Sequence, residues 1–218
     1  MLRLAAVLLL LMAVPAAAAM PSVAVPPPAE GEPRAPTVND EAIAAAVEGA
    51  GWVSKPGQTG PVLYVIVIGF RTCPTCLAFH RAEHERLLAD GVDVRWIVYA
   101  RADRDGKPRS TPQERAMVAE LWLNRTWAAH EAWYAMQADT FYGTMPQPPA
   151  ADGDAARTAA VEAGRTLVSD LSALYAANGL DLAIPTLLWK DATTGTWMTS
   201  IGYNGETFWT VRLSLMGE

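Results

Sequence analysis

The chain holds 218 residues, 51% hydrophobic and 18% charged, with a formal net charge of −6. That is enough for one domain with a good core, and an acidic chain without a basic run argues against nucleic acid as a partner. Its two cysteines, Cys73 and Cys76, lie three residues apart; so short a loop restrains little of the unfolded chain, so the pair suits reactivity better than architecture.

Met1-Leu2-Arg3 is followed by the apolar run Leu4 to Val14, Pro15 and the small residues Ala16 to Ala19. A basic start, an apolar segment and an A-x-A ending predict a secretory signal peptide over residues 1–19, and hence an exported protein. The rival reading is an uncleaved anchor. The run is shorter than the roughly 20 residues that span a bilayer, and Pro15 interrupts it. From Met20 to Pro36 the composition turns to proline with alanine and glutamate, which predicts a solvated, extended tether over residues 20–36. Residues 37–218 are expected to form the folded domain.

Within that domain, Val38 to Val47 reads as a helix capped by Asn39 or Asp40 and stopped at Gly49 and Gly51. Val62 to Ile68 is apolar without alternation and rich in β-branched residues, the pattern of a strand covered on both faces. Leu77 to Ala89 fits a helix, with Leu77, His80, His84 and Leu87 at helical spacing and Arg81, Glu83, Glu85 and Arg86 toward water. Val92 to Tyr99 is a second strand, and the β-α-β order predicts parallel neighbours with a right-handed crossover. Helical segments follow. One starts at Thr111-Pro112 and runs through Met117 and Trp122; one carries Trp127, His130, Trp133 and Tyr134; one spans Ala155 to Asn178. Thr186 to Trp189 and Thr196 to Ile201 are predicted as an antiparallel hairpin, and Asn204 as the cap of a last helix, Glu206 to Met216. The fold class expected is α/β.

Cys73-Pro74-Thr75-Cys76 falls between the first strand and its helix. A C-x-x-C also arises in zinc sites, in haem attachment and by chance. At a helix start, unpaired N–H groups and the helix dipole favour a thiolate on the first sulfur. The second cysteine is close enough to close a disulfide and release a partner held on the first. The chemistry expected is thiol–disulfide exchange, with Cys73 as nucleophile and Cys76 as resolving thiol. Pro74, Thr75 and the helix set the potential. No cofactor beyond a redox-active Cys73–Cys76 disulfide is expected.

His80 and His84 follow Cys76 by four and eight residues. They open a second reading: a metal site of Cys73, Cys76, His80 and His84, holding zinc or copper in a non-catalytic metal chaperone or client-binding module. A straight helix separates residues 76 and 84 by about 12 Å, which speaks against it. Trp122, Trp127, Trp133 and Tyr134 are expected to pack the helical segments onto the sheet, and His130 to be a surface or packing residue. Asp103, Asp105, Glu83 and Glu85 read as solvated charges.

The order of strand, C-x-x-C helix, strand, helical insertion, Ile184-Pro185, two antiparallel strands and helix resembles the thioredoxin fold of the exported Dsb family. The similarity is above all to the catalytic domain of the DsbC and DsbG periplasmic disulfide isomerases. Leu63 to Arg86, Gly91 to Arg101, the helix through Met117 and Trp122, and Ile184 to Gly202 carry it. The resemblance implies a thioredoxin-like fold with a helical insertion, about residues 110–180, between the second core strand and the strand after a cis-proline. It implies that Pro185 is cis and lies against the sulfurs, exposing the backbone of Ile184 to a client segment. Ile184, Pro185, Pro74 and Thr75 would then bind the client. It further implies a periplasmic protein disulfide reductase or isomerase, acting on client proteins with thiols or disulfides and served by a membrane redox partner. The isomerases dimerise through an N-terminal domain; a proline-rich segment stands before the first strand here, so a monomer is expected.

Overall fold

A strand can be apolar at every position only if both of its faces are covered, and Val62–Ile68 meets that condition. The computed structural model describes residues 30–69, 73–135 and 147–217. The expected signal peptide and most of the expected tether lie outside them. The elements run α1 (Asp40–Glu48), β1 (Val62–Ile68), α2 (Pro74–Ala89), β2 (Asp93–Tyr99), α3 (Pro112–Asn124), α4 (Trp127–Ala135), α5 (Ala155–Ala176), β3 (Thr186–Lys190), β4 (Trp197–Ile201) and α6 (Phe208–Met216). The architecture is mixed α/β, with one four-stranded sheet in the order β2-β1-β3-β4. β1 pairs parallel with β2 and antiparallel with β3, and β3 and β4 form the antiparallel hairpin.

Side chains alternate across the sheet, so β1 feeds two cores. Leu63, Val65 and Val67 pack with Phe79 and Leu87 of α2 and with Val211 and Leu215 of α6. Tyr64 and Ile66 pack on the other face with Ile43 and Val47 of α1 and with Leu167, Leu171 and Tyr175 of α5. Each such side chain, fully buried, contributes about 1.5–3 kcal/mol. Where a hydroxyl enters this second core it is partnered: the Tyr175 and Thr199 hydroxyls lie 2.7 Å apart, and Thr199 donates to the Leu187 carbonyl at 2.9 Å.

Three helices, α3, α4 and α5, stand between β2 and β3. α3 begins with a reciprocal cap: the Glu114 N–H donates to Thr111 Oγ1 at 3.1 Å, and the Thr111 N–H donates to Glu114 Oε2 at 2.7 Å. Trp122 fixes α3 to the sheet by donating its indole N–H to the Val98 carbonyl at 2.7 Å. Glycine is required opposite it, because a Cβ at Gly51 would meet the indole at 2.5 Å. No helix among the described residues is long and apolar enough to cross a membrane.

Some expectations need correction. The end of the tether keeps Glu30, Glu32 and Ala35 exposed but is anchored to the sheet: the Gly31 N–H donates to the Ile201 carbonyl at 2.9 Å, and Arg34 pairs with Thr199 at 2.8 and 2.6 Å. β4 is an edge strand, and its unpaired backbone groups recruit the passing chain. Asn39 has φ 60° and makes no side-chain cap on α1. The entry to α1 is held instead by Asn178, whose Oδ1 accepts the N–H of Thr37 and of Val38 at 2.8 and 3.0 Å. α6 starts at Phe208, two residues later than expected, because residues 205–207 form a turn in which Asn204 Oδ1 accepts the Glu206 N–H. Glu83 faces inward rather than to water: it is 5% exposed, and Tyr203 donates its hydroxyl to Glu83 Oε1 at 2.9 Å.

Candidate active site

Proline at the first helical position needs no N–H partner and presets the helical φ, so Pro74 starts α2 directly after Cys73. Cys73 is the N-cap, in extended conformation, and its sulfur accepts the Cys76 N–H at 3.1 Å. The two cysteines are joined as a disulfide. They differ in access: Cys73 is 6% exposed and Cys76 0%. Cys73 and Pro74, not Cys76, line a groove of about 580 Å³ whose wall also includes Ile68, Tyr99 and Ile184. Arg101, Arg104, Arg109 and Asp103 give that groove a cationic rim. Burial pushes the Tyr99 phenol up to about 12.

The chain returns to this place through the segment ahead of β3. The Ile184–Pro185 peptide is cis. The Ile184 carbonyl oxygen lies 3.8 Å from Cys73 Sγ, across 111 residues of sequence. Thus Cys73, Pro74 and Ile184 meet in one groove. Thr75 is half-buried in the first turn of α2, and Pro185 is buried at the entry to β3. Pro185 also receives the Gly202 N–H on its carbonyl at 2.8 Å, which ties this segment to β4.

The four-residue metal set of Cys73, Cys76, His80 and His84 is not assembled. Among the described residues, the ligating atoms that come within 4.8 Å of one another belong to His80, His84 and Glu131. α2 turns its histidines away from the groove and under α4. His80 stacks on His84 at 4.3 Å between ring centroids and on Tyr134 at 3.9 Å. Trp96 of β2 and Trp127 of α4 close the same cluster, at 5.5 and 5.7 Å from His84.

His130 is wholly buried here, a packing residue rather than a surface one. Desolvation, reinforced by His84 and His130, lowers His80 to about 3; desolvation lowers His130 to about 4 and also depresses His84. Glu131 is held below its usual carboxylate range, first by its contact with His130. Both ring nitrogens of His84 and of His130 lack a hydrogen-bond partner, and a buried polar group left so costs about 1–3 kcal/mol. Sequence reasoning missed Glu131 altogether. The available signal was spacing: His80 and His84 are four apart on α2, and Trp127, His130, Glu131 and Tyr134 share one face of α4.

Comparison with family models and with curated proteins finds no match to this chain.

Proposed function

We propose that the chain is an exported, thioredoxin-like thiol–disulfide oxidoreductase of Dsb type, acting in the periplasm on client proteins. The observation that carries this reading is the convergence on Cys73: a helix N-terminus from one side and the Ile184 carbonyl at 3.8 Å from the other, in a groove open to a partner. A helix start stabilises the thiolate that exchange requires. The segment at Ile184, ahead of β3, offers backbone groups with which a client strand can pair.

In the reducing direction the Cys73 thiolate attacks one sulfur of a client disulfide. That S–S bond breaks, a Cys73–client disulfide forms, and the departing client thiolate takes a proton. The Cys76 thiolate then attacks Cys73 Sγ, re-forming Cys73–Cys76 and releasing the second client thiolate. Two electrons pass from the cysteine pair to the client, and a membrane donor must return them. Run backwards, the same steps oxidise a client dithiol. The burial of Cys76 beneath Cys73 fits the order, because a resolving thiol needs to reach only its neighbour. Pro74 and Thr75, between the two sulfurs, tune the potential and touch the client. The protein is expected to act as a monomer.

Insulin reduction at neutral pH tests the reading, combined with timed alkylation of the reduced protein. Turnover and first labelling at Cys73 are expected. Absence of turnover with either a thiol or a membrane-type donor, or first labelling at Cys76, would refute it.

A further inference from the structure

The C-x-x-C chemistry leaves the middle of α2 unexplained. There His80 and His84 occupy successive turns of one face, and α4 lays His130 and Glu131 against them. Glu131 Oε1 lies 3.3 Å from His84 Nε2 and 3.9 Å from His130 Nδ1. Neither contact is a hydrogen bond, the first for want of alignment and the second for its length, and His80 Nε2 is also without a partner. His84 is 1% and His130 0% exposed, so water does not serve these atoms from the surface. Polar side chains buried to this degree ordinarily have a partner. Two imidazoles and a carboxylate whose ligating atoms lie within 4.8 Å of one another have a common partner in a divalent ion of the first transition row.

We propose that His80, His84 and Glu131 form a binding site for a divalent transition-metal ion, zinc foremost, that pins α4 to the C-x-x-C helix. Tetrahedral bonds of 2.0–2.1 Å set ligand atoms about 3.3 Å apart. The His84–Glu131 pair already stands at 3.3 Å. The full set of three lies within 4.8 Å, so closing it takes a small rotation of side chains. His130 Nδ1, 3.9 Å from the same carboxylate, stands beside the fourth position. The cysteines take no part, which separates this site from the thiol chemistry one turn away. Its expected role is structural: the ion bridges two helices joined otherwise by ring stacking.

Zinc titration by calorimetry on the disulfide-bonded full chain, after chelator treatment, tests the site. One zinc per chain is expected, with affinity kept within about twofold in a C73S/C76S double variant. E131Q and H80A should each weaken binding at least about tenfold. The Glu131 side chain is 41% exposed, so E131Q leaves the packed cluster in place. Zinc should raise the thermal midpoint of the wild-type and double-cysteine proteins, and not that of the two ligand variants. No saturable one-to-one binding, unchanged affinity in E131Q or H80A, or loss of binding in C73S/C76S would each overturn the proposal. Insulin reduction by the same preparations reads the thiol reaction separately.

Discussion

The two halves of α2 put reactive side chains under opposite conditions. At its first turn Cys73 meets a groove with a cationic rim, and the helix backbone itself supplies the N–H that reaches the sulfur. Two turns later the imidazoles lie beneath α4 among Trp96, Trp127 and Tyr134, and desolvation keeps them neutral. A helix terminus can activate a side chain alone, because its unpaired N–H groups belong to it. A helix interior has no spare backbone groups. A function there requires side chains from a second element, and α4 brings them.

The largest expected effect falls at the open end. Cys73→Ser should reduce insulin turnover to the uncatalysed rate, whereas Cys76→Ser should accumulate mixed disulfides that non-reducing electrophoresis displays. Equal trapping by both variants would erase the distinction between the two sulfurs. At the sealed end, Trp96→Ala should cost about 3–5 kcal/mol in urea unfolding, because it empties the floor of the cluster. Cys73 should still label before Cys76 in that variant, provided the two ends are independent; a reversed order would join them.

The histidines give the sealed end a pH signature in the metal-free protein. Their folded values, about 3 for His80 and about 4 for His130, lie below the ~6.5 of an unfolded histidine. Between those limits the unfolded state binds protons that the folded state refuses. Stability is therefore fully present above pH ~6.5 and falls as pH drops toward 4. Urea midpoints measured with chelator across this range check it, and His130→Phe should flatten the slope. A midpoint independent of pH would mean that the cluster opens to water. Smallest is Tyr203→Phe, which removes the hydroxyl donated to the buried Glu83 and should cost about 1–3 kcal/mol without changing insulin turnover.

Where local chemistry dominates, the sequence was legible. The uninterrupted β-branched run of β1, the Thr111-Pro112-Glu114 start of α3 and the turn of the β3–β4 hairpin each announce themselves within a few residues, and each stands where expected. So does Cys73 at a helix start. What failed was the assignment of faces. Glu83 reads as solvated charge because its neighbours Arg81, Glu85 and Arg86 are charged, yet Tyr203, 120 residues on, turns it inward. For His130 and Glu131 the spacing shows only that they share a face of α4 with Trp127 and Tyr134. Their partners are on another helix, and a pattern of period 3.6 shows which residues share a face but not what that face meets.

By itself, the sequence determined the α/β class, the order of strands and helices, and a pair of cysteines at a helix start. These follow from short-range causes: side-chain period, capping and turn chemistry. Tertiary structure alone decided that residues 31–34 pair with β4, and that α4 lays a carboxylate beside two histidines of α2. Each of those contacts joins segments far apart in the chain. Such pairings arise from the competition of whole surfaces for burial, which no local window of residues contains.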